Sequence, residues 1–414
     1  MISIINMNNS EPAALYLSAR DAATELAVSP ATLYAYVSRG LIRSEPGENP
    51  RSRRYRAEDV RSLKNRRTPL IEAQGLKSAD LPVMDSAVST ITEEGPIYRG
   101  VRAVTLAETA TFEQCASLLW DSKTADPFAK SNVPIVSPVM RAIMDATRAS
   151  PPIDRCIAVL SQAAEADPRA YNWVHEGRAA TGARIVRLCA AVMTGSEPSP
   201  DPIHKVVAHA WAQKHKHADD LIRRALVLLA DHELNPSTFT TRVAASTGIS
   251  LYDAMIAGMT ALKGPRHGGV GPLAAKLLDT FMEGDIAAIV RERVALGERF
   301  AGFGHAVYTK GDPRAQHLLN VLIKVGADKR LTIEIPARIA EATGTFPNID
   351  YALAVMRRFL GMPQGSETTL FAISRVAGWV AHAGEQLESK KLIRPRARYT
   401  GPAPTPLRKM TLRS

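Results

Sequence analysis

Apolar residues recur at the helical period through most of the chain beyond residue 95. Leu221, Ile222, Ala225, Leu228 and Leu229 lie three or four apart and predict a helix that residues 231–235 close ahead of Pro236. Ser237-Thr238 signals a new start, and Val243, Ala244, Leu251, Ala254, Met255, Ala257, Gly258 and Met259 predict two packed helices, the second ending near Lys263-Gly264-Pro265. Phe112, Cys115, Ala116, Leu118 and Leu119 predict another, and residues 130–230 read as amphipathic helices broken at Pro151-Pro152, at Pro168 and in the 195–202 loop. No strand-rich region stands out, so the fold class is all-α.

The front of the chain has its own pattern. Leu17-Ser18 starts a helix through Leu26, Ala27-Val28 turns, and Ser29-Pro30 caps a second helix that ends at Gly40. This is helix-turn-helix spacing. Leu41-Ile42, a polar loop over 46–53 and Arg54-Tyr55 read as a wing, followed by a helix over 57–67.

With 414 residues the chain has room for two or three domains. A hydrophobic content of 45% excludes wholesale disorder. No apolar run approaches the roughly 18 residues of a membrane span, so a soluble protein is expected. Residues 1–15 lack the layout of a secretory signal and read as a short disordered lead. Cys115, Cys156 and Cys189 are widely spaced without histidine partners, which argues against disulfides or a zinc site and fits a reducing cytoplasm. Of the net charge of +11, residues 39–67 hold ten Lys or Arg against four acids, a local balance of +6. A basic helix-turn-helix suits DNA: Thr32, Tyr34 and Arg39 of the second helix for a major groove, Arg53 and Arg54 of the wing for phosphates. The alternative is a module that only packs against protein. Residues 68–95, with Pro69, Gly75 and Pro82, read as a linker and entry segment.

Candidate chemistry clusters late in the chain. His267 sits in Gly264-Pro265-Arg266-His267-Gly268-Gly269, where glycines leave room for a ligand to approach the imidazole. A turn with a solvated histidine is the competing reading for that motif alone. The device recurs at Gly302-Phe303-Gly304-His305-Ala306-Val307-Tyr308, nine residues before Arg314 of Asp312-Pro313-Arg314. Asp350, Arg375 and Arg394 follow, while His232 lies at a helix end. Asp350 stands beside apolar Ile349, Tyr351 and Leu353, where desolvation would raise the basicity of a carboxylate; an ordinary loop aspartate or helix cap is the competing reading. His209, His215 and His217 share no acidic or thiolate set and are assigned no metal role.

The strings DHELN, STF, GPRHGG, GFGHAVY, DPRA, NID, FAISRVAGWVAH and RPRARYTG, in this order, resemble citrate synthase over most of residues 95–402. The resemblance implies a two-domain helical fold: a large domain over 95–268, an inserted small domain over 269–361, and large-domain completion with a basic tail over 362–414. Residues 69–94 form the linker. It also implies condensation of acetyl-CoA with oxaloacetate, with no metal and no other cofactor. His267, Asp350 and His305 match the catalytic set, and His232, His305, Arg314, Arg375 and Arg394 match the oxaloacetate ligands. Gly304 and Val307 fall near the coenzyme A site. A homodimer is implied, with Arg394 reaching the partner's site. Within residues 1–68, about fifty residues after the disordered lead resemble the winged MerR-type DNA-binding domain through SPATLYAYVSRGLI and RRYRAEDV.

Some positions depart from the common bacterial pattern: Val270-Gly271-Pro272 for Ala-Asn-Glu, Arg266 for a small or apolar residue, and Tyr351-Ala352-Leu353 for Phe-Tyr-Ser. They leave open 2-methylcitrate synthesis from propionyl-CoA, citryl-CoA cleavage, and a transcriptional sensor built on the same fold.

Overall fold

The computed structural model describes residues 16–401, apart from 27, 39, 48–51, 58, 61–62, 64–83, 124 and 266. The front module comprises β1 (Tyr16–Ser18), α1 (Ala19–Leu26), α2 (Pro30–Ser38), β2 (Ser44–Pro46) and β3 (Arg53–Arg56). Ser18 Oγ accepts from the Asp21 amide and Ser29 Oγ from the Thr32 amide, each at 3.2 Å, so hydroxyls start both helices as the caps predict. Ala22, Leu26, Leu33, Tyr36, Ile42, Tyr55, Val60 and Leu63 bury a small core. The antiparallel sheet runs β1-β3-β2. Two details differ from the sequence reading. Leu41-Ile42 form a bend before the strand, which begins at Ser44, and Tyr16–Ser18 adds an edge strand whose Leu17 opposes Tyr55.

A second sheet follows the linker: β4 (Ser89–Thr92), β5 (Gly95–Tyr98) and β6 (Val101–Arg102), in that order. The all-α expectation holds for the packed body; the first sheet falls largely where the sequence reads as a wing, whereas the second is not foreseen, and its β4 lies inside the stretch read as linker and entry segment. These strands are two to four residues long, too short for alternation to register.

The body continues with α3 (Ala103–Thr109), α4 (Phe112–Leu119), α5 (Pro138–Ala146), α6 (Pro152–Ala166), α7 (His175–Thr194), α8 (Ile203–Ala212), α9 (Ala218–Leu229), α10 (Pro236–Ala245) and α11 (Leu251–Leu262). Next come α12 (Val270–Glu283), α13 (Ile286–Ala295), α14 (Pro313–Lys324), α15 (Ile335–Thr343) and α16 (Ile349–Leu360), then α17 (Ser366–Ser389). Helix α17 is the axis, packed on α7, α9, α10 and α11. Its Trp379 is fully buried, and truncation to alanine there costs about 3–5 kcal/mol. Gly378 lets two helices close: a Cβ there would lie 2.5 Å from the Ala230 carbonyl oxygen, which instead accepts the Gly378 amide at 3.0 Å. That contact seats the end of α9, and hence residues 231–235, against the helix that carries Arg375. Helices α12–α16 form a second packed group, α12 on α16, α13 on α15 and α14 on α16.

Among the described residues, no helix is long and apolar enough to cross a membrane.

Candidate active site

The site is assembled from chain breaks. The loop after α9 carries His232, the turn after α11 carries His267, the loop before α14 carries His305, and α14, α16 and α17 present Arg314, Asp350 and Arg375. All six line one cavity of about 110 Å³, together with Asn235, Gly304, Asn348, Thr368 and Phe371.

Burial sets the protonation states. It pushes His267 and His305 down to about 4, with the positive charge of Arg375 adding to the effect on the first and that of Arg314 on the second. His232 is held well below the usual imidazole range by burial, then by Arg314 and Arg375. All three are neutral at pH 7. The same burial raises Asp350 to about 6, against the opposing pull of Arg314 and Arg375. Asp350 occupies the first turn of α16, and its amide donates to Asn348 Oδ1 at 3.0 Å.

Each histidine is held by a partner. The Val307 amide donates to His305 Nδ1 at 3.2 Å, which leaves the proton of the neutral ring on Nε2. His232 Nε2 lies 3.0 Å from the Tyr308 hydroxyl, and the Tyr308 ring stacks on His305 with centroids 4.6 Å apart. His267 Nε2 lies 2.8 Å from Ser237 Oγ, which donates to Asn235 Oδ1 at 2.9 Å and accepts from Trp379 Nε1 at 3.3 Å. Ser237 has one proton for two acceptors. When it donates to His267 instead, Nδ1–H becomes the free donor of that ring.

The two arginines differ. Arg314 donates to Asp312 through Nε at 3.0 Å and Nη2 at 2.8 Å. Burial disfavours its charge, but the Asp312 carboxylate outweighs that and raises its pKa. Asp312 also accepts from the Ile349 amide at 3.0 Å and so ties Arg314 to the start of the Asp350 helix. Arg375 is completely buried. Its Nε donates to the Leu229 carbonyl at 2.9 Å and its plane lies 4.6 Å from the Phe371 ring, but Nη1 and Nη2 have no hydrogen-bond partner among the described residues. Burial lowers its pKa to about 10, opposed by Asp231, so the guanidinium remains charged at neutral pH. A buried cation with two unmatched donors calls for an anion.

Arg394 does not join them. It is exposed on the extended segment after α17, outside the cavity of its own chain. Val307 is 46% exposed beside the site, and Gly304 lies in its wall. The glycines after His267 serve the backbone more than a ligand: a Cβ on Gly268 would lie 2.4 Å from the Leu262 carbonyl, which accepts the Gly268 amide at 3.0 Å. Ser237, Tyr308 and Asp312 went unassigned from sequence. Asp312 stood two residues before a chosen arginine, but nothing in spacing alone links Ser237 to His267, 30 positions away.

In the front module, Tyr34 is 54% exposed, and Arg53 and Arg54 are exposed on β3. Arg54 pairs with Glu45 at 3.5 Å and covers the Tyr16 ring at 4.7 Å. The Thr32 hydroxyl is bonded to Ser29 at 2.9 Å. Arg39 lies outside the described residues. Among the described residues, no cluster of histidine, cysteine or acidic side chains could hold a metal.

Comparison with known proteins identifies the family. The family model "Citrate synthase, C-terminal domain" covers residues 75–396. Citrate synthase 2 of Bacillus subtilis is 37% identical over 51% of this chain and 54% of its own length. A 2-methylcitrate synthase of Shewanella oneidensis is 36% identical over 44% of this chain and 50% of its own. The chain thus spans about half the length of these curated relatives. The solved ternary complex of carboxymethyl coenzyme A and oxaloacetate with citrate synthase from Thermoplasma acidophilum superposes with a TM-score of 0.66, at 26% identity, over 79% of this chain and 96% of that one. The chain belongs to the citrate synthase family.

Proposed function

We propose that this protein condenses acetyl-CoA with oxaloacetate to give citrate and coenzyme A, the entry to the tricarboxylic acid cycle. The observation that carries the reading is the single cavity that holds a carboxyl raised to about 6, histidines lowered to about 4 and an unmatched buried arginine. Asp350 takes a proton from the thioester methyl group, and His267 donates from Nδ1 to the developing enol oxygen with Ser237 fixing its Nε2. His305 Nε2–H polarises the ketone of oxaloacetate. The enol carbon attacks that ketone carbon, the enol O–H proton returning to His267 while the ketone C=O bond opens and its oxygen takes the His305 Nε2 proton; water then hydrolyses the citryl thioester and coenzyme A leaves as the thiol. His232, Arg314 and Arg375 hold the oxaloacetate oxygens, Arg394 arrives from the partner of a homodimer, and Gly304 and Val307 flank the coenzyme A. Within this scheme residues 95–268 and 362–414 act as the large domain and 269–361 as a small domain that closes and excludes water. The three cysteines, all buried and free, suit a reducing cytoplasm.

Purified protein given both substrates is expected to release free thiol. No release with either acetyl-CoA or propionyl-CoA between pH 6 and pH 9 overturns the proposal. A preference for propionyl-CoA favours the 2-methylcitrate reading, which the Shewanella relative supports; one methylene shifts such discrimination by only about 1–3 kcal/mol.

The exposed Tyr34 and the exposed arginines of β3 support a second reading for the front module, a winged helix-turn-helix that binds DNA with Thr32, Tyr34 and Arg39 at the bases and Arg53 and Arg54 on phosphates. Binding to duplex DNA should weaken steeply as salt rises and fall further in Arg53→Glu/Arg54→Glu. Absence of binding at low salt removes this role.

A further inference from the structure

A second cavity, of about 320 Å³, lies where the front module meets α12 and α13. Such a volume falls within the range of small-molecule sites, roughly 300–1,000 Å³. Leu63 and Tyr36 wall it on the front-module side, and Leu273, Leu277, Val294 and Phe303 on the other. The lining is thus chiefly aliphatic and aromatic, but Arg299 is set into it, and its Nη1 is buried with no hydrogen-bond partner among the described residues. Neighbouring Arg293 is already paired with Glu298 at 2.9 Å. Lys276 also lines the chamber but is exposed to solvent, so the buried unmatched donor of Arg299 defines the complement: a chain of hydrocarbon with a single anionic end.

We propose that this cavity binds an amphipathic monoanion, an aliphatic chain ending in a carboxylate, with the chain among Leu63, Leu273, Leu277 and Val294 and the carboxylate on Arg299. The site is distinct from the histidine cavity, and its assignment stands apart from the proposed condensation. The two are nevertheless joined through Asn348, which lines both. The Asn348 amide donates to the Gly302 carbonyl at 2.8 Å, its side chain donates to the Gly304 carbonyl at 3.0 Å, and its Oδ1 accepts from the Asp350 amide at 3.0 Å. An occupant therefore touches the residue that fixes both the His305 loop and the start of the Asp350 helix, while its other side rests on the front module. Ligand binding at this junction reports to both parts of the protein.

Titration of the full-length protein with decanoate by calorimetry, with decanol as the neutral comparison, tests the assignment. Saturable binding of one decanoate per chain is expected. Arg299→Leu should weaken decanoate roughly tenfold and leave decanol unchanged, since only the charged hydrogen bond is removed. Leu273→Trp, at a position 48% exposed and hence tolerant of a larger side chain, should fill the chamber and abolish binding of both. Decanoate should also change kcat without competing with acyl-CoA, and this effect should vanish in Leu273→Trp. Failure of decanoate to saturate, or binding untouched by both substitutions, overturns the proposal. So does strict competition with acyl-CoA accompanied by a raised acyl-CoA KM in Leu273→Trp, which would make the chamber part of the thioester path. The calorimetric arms read out even if the protein proves inactive as a condensing enzyme.

Discussion

Replacing Asp350 by Asn should separate two consequences of burying a carboxyl group. The folded protein holds Asp350 near 6 against an ordinary value of 3.8, a gap of about two units that corresponds to roughly 3 kcal/mol. The sign follows from which state releases its proton first. Below about pH 4 the group is protonated in both folded and unfolded chains and contributes nothing. Between 4 and 6 the unfolded chain ionises while the folded one does not, so stability falls as pH rises. Above 6 the whole penalty remains. Asparagine keeps the shape without the charge, so Asp350→Asn should be more stable than the parent by up to roughly 3 kcal/mol at pH 8 and nearly equal to it at pH 4. Loss of the base should meanwhile lower turnover by about 10²- to 10⁴-fold. Thermal unfolding at the two pH values reads the first effect and coenzyme A release reads the second. In the parent, kcat/KM should rise with pH through an apparent pKa near 6. A variant no more stable than the parent at pH 8, or equally stabilised at both pH values, would refute the claim that burial strains this carboxyl. Near-parental turnover would refute its role as the base.

Arg375→Leu should weaken oxaloacetate binding by about 100-fold, read by calorimetry, while raising thermal stability because a buried and unmatched cation is removed; unchanged affinity counts against its placement. Ser237→Ala should lower kcat by about tenfold with little change in oxaloacetate affinity, since it frees the tautomer of His267 without touching the substrate arginines; an effect confined to KM contradicts this. Arg394→Gln and Asp350→Asn should each be impaired alone, and mixing the two under subunit-exchange conditions should restore one of two sites in each mixed dimer. No recovery on mixing places Arg394 in its own chain's site or in none.

Much of this organisation was legible in the sequence because it rests on local signals. Proline and the Ser29 cap mark helix starts, and the helix period marks the buried faces, although the start read at Ser237-Thr238 lies at Pro236, capped by Asn235. Histidines beside glycines marked the breaks where the site assembles. What escaped was long-range. Ser237 reaches His267 only because α10 and α11 pack side by side, and Gly378 matters only because α9 ends against α17. The glycines around His267 were read as space for a ligand, yet the requirement at Gly268 is a carbonyl of its own chain. The short strands β4–β6 left no periodic signature, and the strand read as the start of a wing begins three residues later than hydrophobicity implied because Leu41 and Ile42 turn inward to pack the front core. The chamber at Arg299 could not be foreseen at all, since its walls come from parts of the chain more than 200 residues apart.

The charges of the site give a reason for the role proposed for Arg394, which lies outside the cavity. With three neutral histidines, the fixed charges lining the cavity are Arg314, Arg375 and, above about pH 6, Asp350, with Asp312 against Arg314 and Asp231, held by His382, behind Arg375. Arg314 is matched by Asp312 through two hydrogen bonds, so Arg375 is the cation left to meet an incoming ligand. A monoanion would balance it. A dicarboxylate brings one negative charge more than Arg375 supplies, and next to an ionised Asp350 that excess would raise the carboxyl further and keep it protonated, which disables it as a base. A second cation must therefore accompany a dianion if proton abstraction is to occur near neutral pH. The exposed segment after α17 carries Arg394, Arg396 and Arg398 and is not packed into its own cavity. In the proposed homodimer, a cation delivered from such a segment on a partner subunit would complete the balance only on assembly, and substrate affinity and the pKa of Asp350 would then both depend on dimer formation.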